Sequence, residues 1–553
     1  MTPRRIGLLV LVGATLGLGA LLLERQRAKA RAETLAQGER LYRQGLGSTG
    51  QPTKALVRRD LEVDGVMFAC VSCHLRSGYG AAEGKIIAPP VDGESLFQPV
   101  KLRYKGVEIA GAPLRRPAYT RESLAQVLRT GVDPSGRTLD EAMPRYTLGE
   151  ADLNALVEYL SSLGGGPSEG VTEGTIRLAT VLTDEVPAAE REAFLFTLEK
   201  YVAFKNAQTQ PRETGVDNRS ARMATSMLLS KDVAFKRLVL TPWLLHGKPE
   251  TWPEQLEAWY EASPPFALIG GLSTQRWEPI HQFCETKRLP TLLPLTDLPA
   301  RSSATDTYTL YLNKGVAQEA EGVARYLASL GDAPAGVLQI VRDTPAGQAL
   351  RAGFEETLRQ LGQPAPDTVT VAPGAPIPEV GQRSPSAVVL WDGPEGLAAL
   401  EGLTAAAPRV FVSATALGEA LWTIDERLRE RTWVAWPYRL PEQEERYRSI
   451  LAPWLKGSSA PEASGRSGRE YRIAAGAYAV TQVLTQALMD LRGRYSREYL
   501  LDVVGMLPDQ RLPSFERLSF GVGLHTVANG CHLVQLGPGP APMLVKRSEW
   551  LTH

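Results

Sequence analysis

Apolar positions divide the 553-residue chain into stretches of different periodicity. Residues 6–23 carry no charge and are almost continuously apolar, a length at the lower limit for a helix that crosses a bilayer. Residues 150–163 repeat apolar side chains every three to four positions, which predicts an amphipathic helix. Beyond residue 175, short apolar runs rich in β-branched residues alternate with helical periods. The pattern therefore predicts an apolar N-terminal helix, a helical stretch and a long α/β region.

The α/β region reads as a series of parallel strands joined by helices. Strands are predicted at 176–182, 237–240, 266–272, 291–295, 308–312, 337–342, 387–391 and 410–412, with helices at 278–288, 318–330, 347–361 and 396–403. Such alternation builds parallel sheets that are covered on both faces. About 375 residues exceed what one such sheet normally holds, so we predict two α/β lobes.

Glycine and proline punctuation at 164–174 predicts a linker. The chain is therefore expected to consist of an N-terminal targeting segment at 1–31, a first domain at 32–163, this linker, and a second domain at 175–553.

The targeting segment has two competing interpretations. Arg4 and Arg5 precede the apolar run, and basic residues return from Arg25 onward. The long apolar run favours an uncleaved signal anchor, whereas Ala28-Lys29-Ala30 offers a small-x-small site for a cleaved signal peptide. A buried soluble helix is the third alternative. Either favoured interpretation places the rest of the chain on the periplasmic side of a bacterial cytoplasmic membrane, anchored there or soluble in the periplasm.

Composition narrows the classes of partner. Lys plus Arg and Asp plus Glu both number 61, so the formal net charge is zero and nucleic acid is not an expected partner. Only four cysteines are present, too few for a disulfide scaffold.

Two of these cysteines form the motif Cys70-Val71-Ser72-Cys73-His74. The C-x-x-C-H pattern is typical of c-type haem attachment: both thiols on one helical turn reach the porphyrin vinyl groups, and the histidine follows as an axial iron ligand. The expectation is one covalently attached haem c. A redox dithiol and half of a zinc site are the alternatives for C-x-x-C.

The sixth iron ligand is expected at Met143, which precedes the predicted helix at 150–163. A methionine thioether is a soft ligand that raises the reduction potential. Met67 is a poorly placed rival, and a methionine in any position is commonly a core filler.

Residues 34–163 resemble a class I cytochrome c domain. The resemblance rests on the attachment motif together with Gly38-Glu39-Arg40-Leu41-Tyr42, Gly78-Tyr79-Gly80, Pro89-Pro90, Tyr119-Thr120, Met143-Pro144 and Glu158-Tyr159-Leu160. It implies an all-α domain packed round the porphyrin, with the carbonyl of Pro89 or Pro90 supporting the axial histidine. It also implies single-electron transfer with periplasmic redox partner proteins. The long stretch 45–67 departs from the family pattern.

Residues 175–553 resemble type I periplasmic ligand-binding proteins of the branched-chain amino acid kind. The resemblance rests on 267–274, 289–295, 520–523 and 530–536. It implies a bilobed α/β domain round a cleft, in which Ser273 and Thr274, and more weakly Thr296, hold the carboxylate of a small amino-acid-like solute. Asp392 or Glu395 would hold its amino group. An ordinary loop serine or solvated aspartate is the competing explanation of each residue.

The remaining reactive side chains predict no catalytic site. Cys284 and Cys531 could pair as a disulfide or remain buried thiols. No Ser/His/Asp set, paired carboxylates or phosphate loop is recognisable, so the protein is not expected to be an enzyme.

Three functions are therefore compared. The first is a periplasmic cytochrome that transfers electrons through a His/Met haem and is coupled to a solute-binding module. The alternative is a solute-binding or sensory protein in which the haem domain is an accessory docking unit. The third, a haem enzyme such as a peroxidase, would need an open iron coordination site.

Overall fold

The computed structural model describes residues 3–58, 60–83, 86–99, 103–104, 107–108, 116–164, 168–209, 236–303, 306–330, 336–379, 384–457 and 468–552, with the backbone alone at 3–23, 83, 103–104, 107–108 and 209. The chain divides into two compact units, Met1–Pro167 and Ser168–His553. The finer division into four segments stays a prediction.

Unit 1 combines helices with a small sheet. Its helices are Pro3–Gln44, Val71–His74, Gly93–Phe97, Arg121–Thr130 and Glu150–Ser162. Lys54–Val57 pairs antiparallel with Leu61–Asp64 on one side and with Arg145–Thr147 on the other. Two shorter hairpins join Ala82–Glu83 to Ile86–Ile87 and Arg103–Tyr104 to Val107–Glu108. The unit is therefore not all-α as predicted, because the stretch 45–67 folds into a hairpin.

The first and last helices of unit 1 pack closely together. A Cβ added to Gly38 would lie 2.0 Å from the carbonyl oxygen of Ala155, so only glycine permits this approach. Next to it, the rings of Tyr42 and Tyr159 have centroids 5.4 Å apart. The buried core of the unit, which includes Leu41, is built on this contact.

The predicted membrane segment falls in the first helix, Pro3–Gln44. The side chains of 6–23 lie outside the described residues. Among the described residues, no helix has the length and apolar character to cross a membrane.

Unit 2 contains two seven-stranded sheets, which define its two lobes. All described pairings in the first lobe are parallel. The strand order is Leu295–Leu298, Leu272–Arg276, Thr175–Thr183, Ala267–Ile269, Thr291–Leu292 and Thr309–Leu310, and Arg237–Leu245 also pairs with Thr175–Thr183. The helices between these strands are Ala188–Thr209, Trp252–Ala262 and Glu278–Lys287, with a 3-10 turn at Pro249–Thr251.

The second lobe has five parallel strands followed by two antiparallel ones. Their order is Asp367–Val371, Val337–Arg342, Ala387–Trp391, Val410–Ser413, Thr432–Trp436, His532–Leu536 and Leu544–Lys546. The helices on or near this sheet are Val316–Ser329, Pro345–Gln360, Leu400–Ala406 and Ala414–Leu417, with 3-10 turns at Pro394–Ala399, Gly418–Thr423 and Glu426–Leu428. The helix Pro441–Leu455 packs instead against Arg469–Leu491 and Ala188–Thr209. The parallel strands are buried on both faces, as the continuous apolar runs predicted.

The chain passes between the lobes more than once. The helix Arg469–Leu491 packs against the first-lobe helix Ala188–Thr209, and Arg497–Gly505 and the hairpin of Gln510–Leu512 with Phe515–Leu518 follow it. Tyr311 then pairs with Thr526 in a parallel bridge. Two of the segments in which the chain crosses from one lobe to the other therefore run side by side at Tyr311 and Thr526.

Candidate functional site

A small, partly open cavity of about 60 Å³ lies between the two lobes of unit 2. Residues that follow strands of the second lobe, such as Thr415 and Tyr438, meet polar residues of the first lobe there. The polar lining consists of Thr296, Asp297, Asn313, Thr415, Tyr438, Arg469 and Arg472. The carboxyl ends of strands are where open α/β sheets bind ligands.

The first turn of the helix Arg469–Leu491 carries two arginines, and both line this cavity. Arg469 pairs with Glu190 at 3.0 Å and with Asp297 at 3.2 Å. Burial lowers the pKa of Arg469, but these two carboxylates raise it by more, so the guanidinium stays charged. Its charge is balanced by the same carboxylates that hold it in place.

The second arginine lies against aromatic rings. The Arg472 guanidinium carbon is 5.3 Å from the ring centroid of Trp436 and 5.1 Å from that of Tyr438. Burial raises the pKa of Tyr438, although Arg472 opposes the shift, so its hydroxyl stays protonated. The two side chains thus offer a cation and a neutral hydroxyl at the edge of the cavity.

The predicted carboxylate site is filled by a side chain of the protein. Glu185 Oε1 accepts hydrogen bonds from the Ser273 hydroxyl at 3.0 Å and from the Thr274 N–H at 3.1 Å. Thr183 Oγ1 donates to the same oxygen at 2.6 Å. The structure places Ser273 and Thr274 round an internal glutamate, and their role as solute ligands stays a prediction.

Thr296 is the one predicted solute ligand that lines the cavity in the described part of the chain. It pairs in register with Ser273 across the sheet, and its Oγ1 accepts the N–H of Leu298 at 3.2 Å. Its hydroxyl proton therefore remains available to an acceptor.

The predicted amino-group ligands have other surroundings. Asp392 forms a buried ion pair with Arg342 at 2.6 Å, and Arg342 also donates to the carbonyls of Ala372 and Ala375. Glu395 is exposed in the 3-10 turn Pro394–Ala399. Neither residue lines the interlobe cavity as described, and their role as solute ligands stays a prediction.

A buried carboxyl lies behind the cavity wall. Glu319 is fully buried, and both its oxygens lie 3.3 Å from the N–H of Thr415, which lines the cavity. Burial raises its pKa to about 7, and hydrogen bonds from Thr415 and Ser413 limit the rise. This carboxyl therefore changes protonation close to neutral pH.

Sequence reasoning missed the groups that dominate this site: Glu185, Glu319, Tyr438, Arg469 and Arg472. Glu185 lies two residues after the strand Thr175–Thr183, and the carboxyl end of a parallel strand is a typical position for a functional residue. The two arginines are three residues apart on one helix face, but the helix containing them was not predicted.

In unit 1, the motif residues occupy one helical turn, Val71–His74, with Cys70 as its N-cap. Cys70 is partly buried and Cys73 exposed. Buried His74 has Nδ1 2.8 Å from the carbonyl oxygen of Pro89, which selects Pro89 over the alternative Pro90. Since a carbonyl only accepts, Nδ1 carries the proton in this contact.

Burial shifts Cys70 and His74 toward their neutral forms. The pKa of Cys70 is raised to about 12, and that of His74 is lowered, with the Pro89 hydrogen bond opposing the shift. Met143 is partly buried and packs on the apolar cluster that also contacts Cys70, whereas Met67 is 71% exposed. Met143 thus has the packing of a core methionine.

Cys284 and Cys531 are both buried, and neither is in a disulfide. Cys284 accepts a hydrogen bond from the Thr291 hydroxyl at 3.0 Å. Burial raises the pKa of Cys284 to about 12 and that of Cys531 well above its ordinary value.

No family model and no curated protein matches the chain. A solved ABC transporter substrate-binding protein from Sphaerobacter thermophilus is 14% identical, with a TM-score of 0.50 over 68% of this chain and 98% of that chain. A periplasmic binding protein type 1 from Bordetella pertussis Tohama I is 13% identical, with a TM-score of 0.49 over 68% and 100%. A branched-chain amino acid ABC transporter from Thermus thermophilus with bound valine is 13% identical, with a TM-score of 0.47 over 69% and 97%.

The expectation of haem c as a cofactor is corrected by these findings. The solved structure from Sphaerobacter thermophilus is named a substrate-binding protein, without mention of haem. Within the described ranges, no group of three or more His, Cys, Asp or Glu side chains could hold a metal ion. Electron transfer to redox partner proteins consequently has no support either.

The likeness to solved structures shows the fold. A bilobed α/β architecture with parallel sheets, as in the Sphaerobacter thermophilus substrate-binding protein, is the architecture of unit 2, and it confirms the predicted fold class for that part of the chain.

Proposed function

We propose that this protein binds a small polar solute between the lobes of unit 2 and acts as a solute-binding or sensory protein on the periplasmic side of the membrane. Unit 1 is then an accessory unit. The observation that carries the proposal is the interlobe cavity on which polar and charged groups of both lobes converge.

The chemistry of the cavity is that of a recognition site. Arg472 and the hydroxyl of Tyr438 can donate to an acceptor group of the solute, and Thr296 and Asn313 supply further hydrogen-bonding atoms from the first lobe. Leu272 and Leu295 add apolar surface. A cavity with a few placed polar groups on an apolar wall is the usual form of a small-molecule site.

The fold comparison supports binding rather than catalysis. The structure from Sphaerobacter thermophilus, whose TM-score reaches 0.50, is named a substrate-binding protein of an ABC transporter. A free amino acid is accordingly one solute class to test, beside amino acid amides, amines, polyols and small carboxylates.

The test uses the purified full-length chain with this panel, read by thermal shift and by titration calorimetry. We expect at least one compound to raise Tm saturably, because a ligand that binds only the folded state stabilises it. Arg472→Met should weaken the binding of that compound by about tenfold, equivalent to about 1.4 kcal/mol. The matched control is Arg446→Met, which changes an exposed arginine on the helix Pro441–Leu455.

Two results would contradict the proposal. One is a panel in which no compound binds saturably to the folded protein. The other is a bound compound whose affinity falls equally in Arg472→Met and Arg446→Met, since its site would then lie outside the cavity.

A further inference from the structure

The contacts of Glu185 form a binding site for one oxygen of a carboxylate. Hydroxyls of Thr183 and Ser273 and the N–H of Thr274 donate to Oε1 at 2.6, 3.0 and 3.1 Å, and the Thr274 hydroxyl lies at 3.4 Å. Thr183 and Ser273 are buried, so these donors have little access to water. We call these donors, on Thr183, Ser273 and Thr274, the anion nest.

The anion nest lies next to the interlobe cavity. Ser273 pairs in register with Thr296, and Leu272 precedes it in the chain; both Thr296 and Leu272 line the cavity. Glu185 reaches the nest from the loop between the strand Thr175–Thr183 and the helix Ala188–Thr209. The glutamate is therefore a tethered anion at the edge of the solute site.

The carboxylate uses its two oxygens unequally. Oε1 takes all the donors of the nest, whereas Oε2 is buried and has no hydrogen-bond partner in the described part of the chain. A buried unpaired oxygen is costly, so the donors of the nest must compensate for it. The arrangement persists because the nest requires an anion and Glu185 supplies one.

We propose that Glu185 closes the anion nest to carboxylates of the solute and so determines which solutes the cleft accepts. Each donor of the nest is already committed to Oε1, so a solute carboxylate could bind there only after displacing a tethered group of the same chemistry. This statement about solutes rests on the proposed function. The accepted class is then one without a carboxylate directed at Ser273 and Thr274: amines, amides or other neutral polar compounds.

The test removes the tethered anion from the full-length protein. Glu185→Ala removes the acceptor of the Ser273 hydroxyl and the Thr274 N–H, although the Thr183 hydroxyl keeps the Leu272 carbonyl oxygen at 3.3 Å. The Tm of the variant should therefore fall below that of the wild type. Because Glu185 is only partly buried, a small anion can enter in its place. Sodium formate should therefore raise the Tm of the variant saturably, and sodium chloride at equal ionic strength should not. Wild type should not respond to formate.

Two variants serve as controls. Glu185→Gln keeps an oxygen acceptor in the nest, so its Tm should fall less than that of the alanine variant. Formate should not raise the Tm of this variant. Glu192→Ala removes an exposed glutamate from the adjoining helix and should behave as wild type. If Glu185→Ala does not fold in plain buffer, it is prepared in formate; folding there supports the proposal, and failure there overturns it.

The proposal is also overturned if formate stabilises wild type as much as Glu185→Ala. Solute selectivity is measured separately: wild type should bind amines or amides in preference to the corresponding carboxylates, and Glu185→Ala should gain carboxylate binding. Wild-type binding of a carboxylate that Ser273→Ala abolishes would overturn the selectivity. If formate raises the Tm of Glu185→Ala but no solute binds, the inference about the anion nest stands and only the proposed function is refuted.

Discussion

Replacing Glu319 with glutamine should stabilise unit 2 at neutral and alkaline pH. The carboxyl is fully buried on the helix Val316–Ser329, and its neighbours are the Thr415 N–H, the Ser413 hydroxyl, Cys531 and Tyr438. None of these is a cation, so the ionised form is stabilised by hydrogen bonds alone.

The magnitude follows from the shift in pKa. Burial raises the pKa of Glu319 from 4.5 to about 7, and at about 1.4 kcal/mol for each unit this is a cost of about 3 kcal/mol for the ionised folded protein. Between about pH 4.5 and pH 7 the folded state keeps a proton that the unfolded state releases. The free energy of unfolding therefore falls as pH rises through this window, and is level on either side.

Glu319→Gln removes this dependence, since glutamine keeps an acceptor for Thr415 and carries no charge. Its free energy of unfolding should equal that of wild type near pH 4.5 and exceed it by about 3 kcal/mol at pH 8. All ten tryptophans lie in unit 2, so urea unfolding followed by tryptophan fluorescence reports on that unit alone. The matched control, Glu192→Gln, changes an exposed glutamate. A constant difference between Glu319→Gln and wild type from pH 4.5 to 8 would refute the reasoning.

Three further predictions concern buried contacts and thiols. Asp392→Ala leaves a buried guanidinium unpaired and should cost about 3–5 kcal/mol in urea unfolding; a loss below 1 kcal/mol would contradict the buried pair. Gly322→Ala places a Cβ 2.1 Å from the Cys531 sulfur and should cost about 1–3 kcal/mol, which Cys531→Ala in the same chain should partly restore. Iodoacetamide should modify exposed Cys73 before Cys70, whose pKa is raised to about 12, as read by peptide mass. If neither of these two thiols reacts even in denaturant, the expectation that they are free thiols is wrong.

Local pattern predicted the strands of unit 2 well where the strand is fully buried, as at Val337–Arg342 and Ala387–Trp391. It failed where tertiary contacts decide. The predicted strand 266–272 is interrupted at Gly270 and Gly271, whose φ angles are 61° and 127°. Glycine is needed at position 270 because a Cβ there would lie 2.7 Å from an aromatic ring. No property of the strand sequence itself reveals that ring.

The helix Arg469–Leu491 was missed for a related reason. It is buried on nearly all sides, so its apolar residues do not repeat with the period of an amphipathic helix. In unit 1, the hairpin in 45–67 is completed by Arg145–Thr147, a strand about 90 residues away. Pairing over such a separation leaves no trace in a local pattern.

The site was predicted by residue type, and the structure shows what residue type cannot reveal. Ser273 and Asp392 follow buried strands, where solute ligands of such folds are expected. Their partners, Glu185 and Arg342, are 88 and 50 residues away in sequence. A polar residue at a strand end therefore indicates that a partner exists, and only the fold shows whether that partner is a solute or the protein itself.

Ser273 and Asp392 are paired with groups of the protein itself. The side chains left to contact a solute in the cleft therefore include those of the helix Arg469–Leu491. This helix packs on the first lobe, whereas the rings against Arg472 belong to Trp436 and Tyr438 at the end of a second-lobe strand. The Arg469 N–H also contacts Glu419 of the second lobe at 3.2 Å. These contacts join a helix that packs on the first lobe to residues of the second lobe, so any change in the angle between the lobes must alter them.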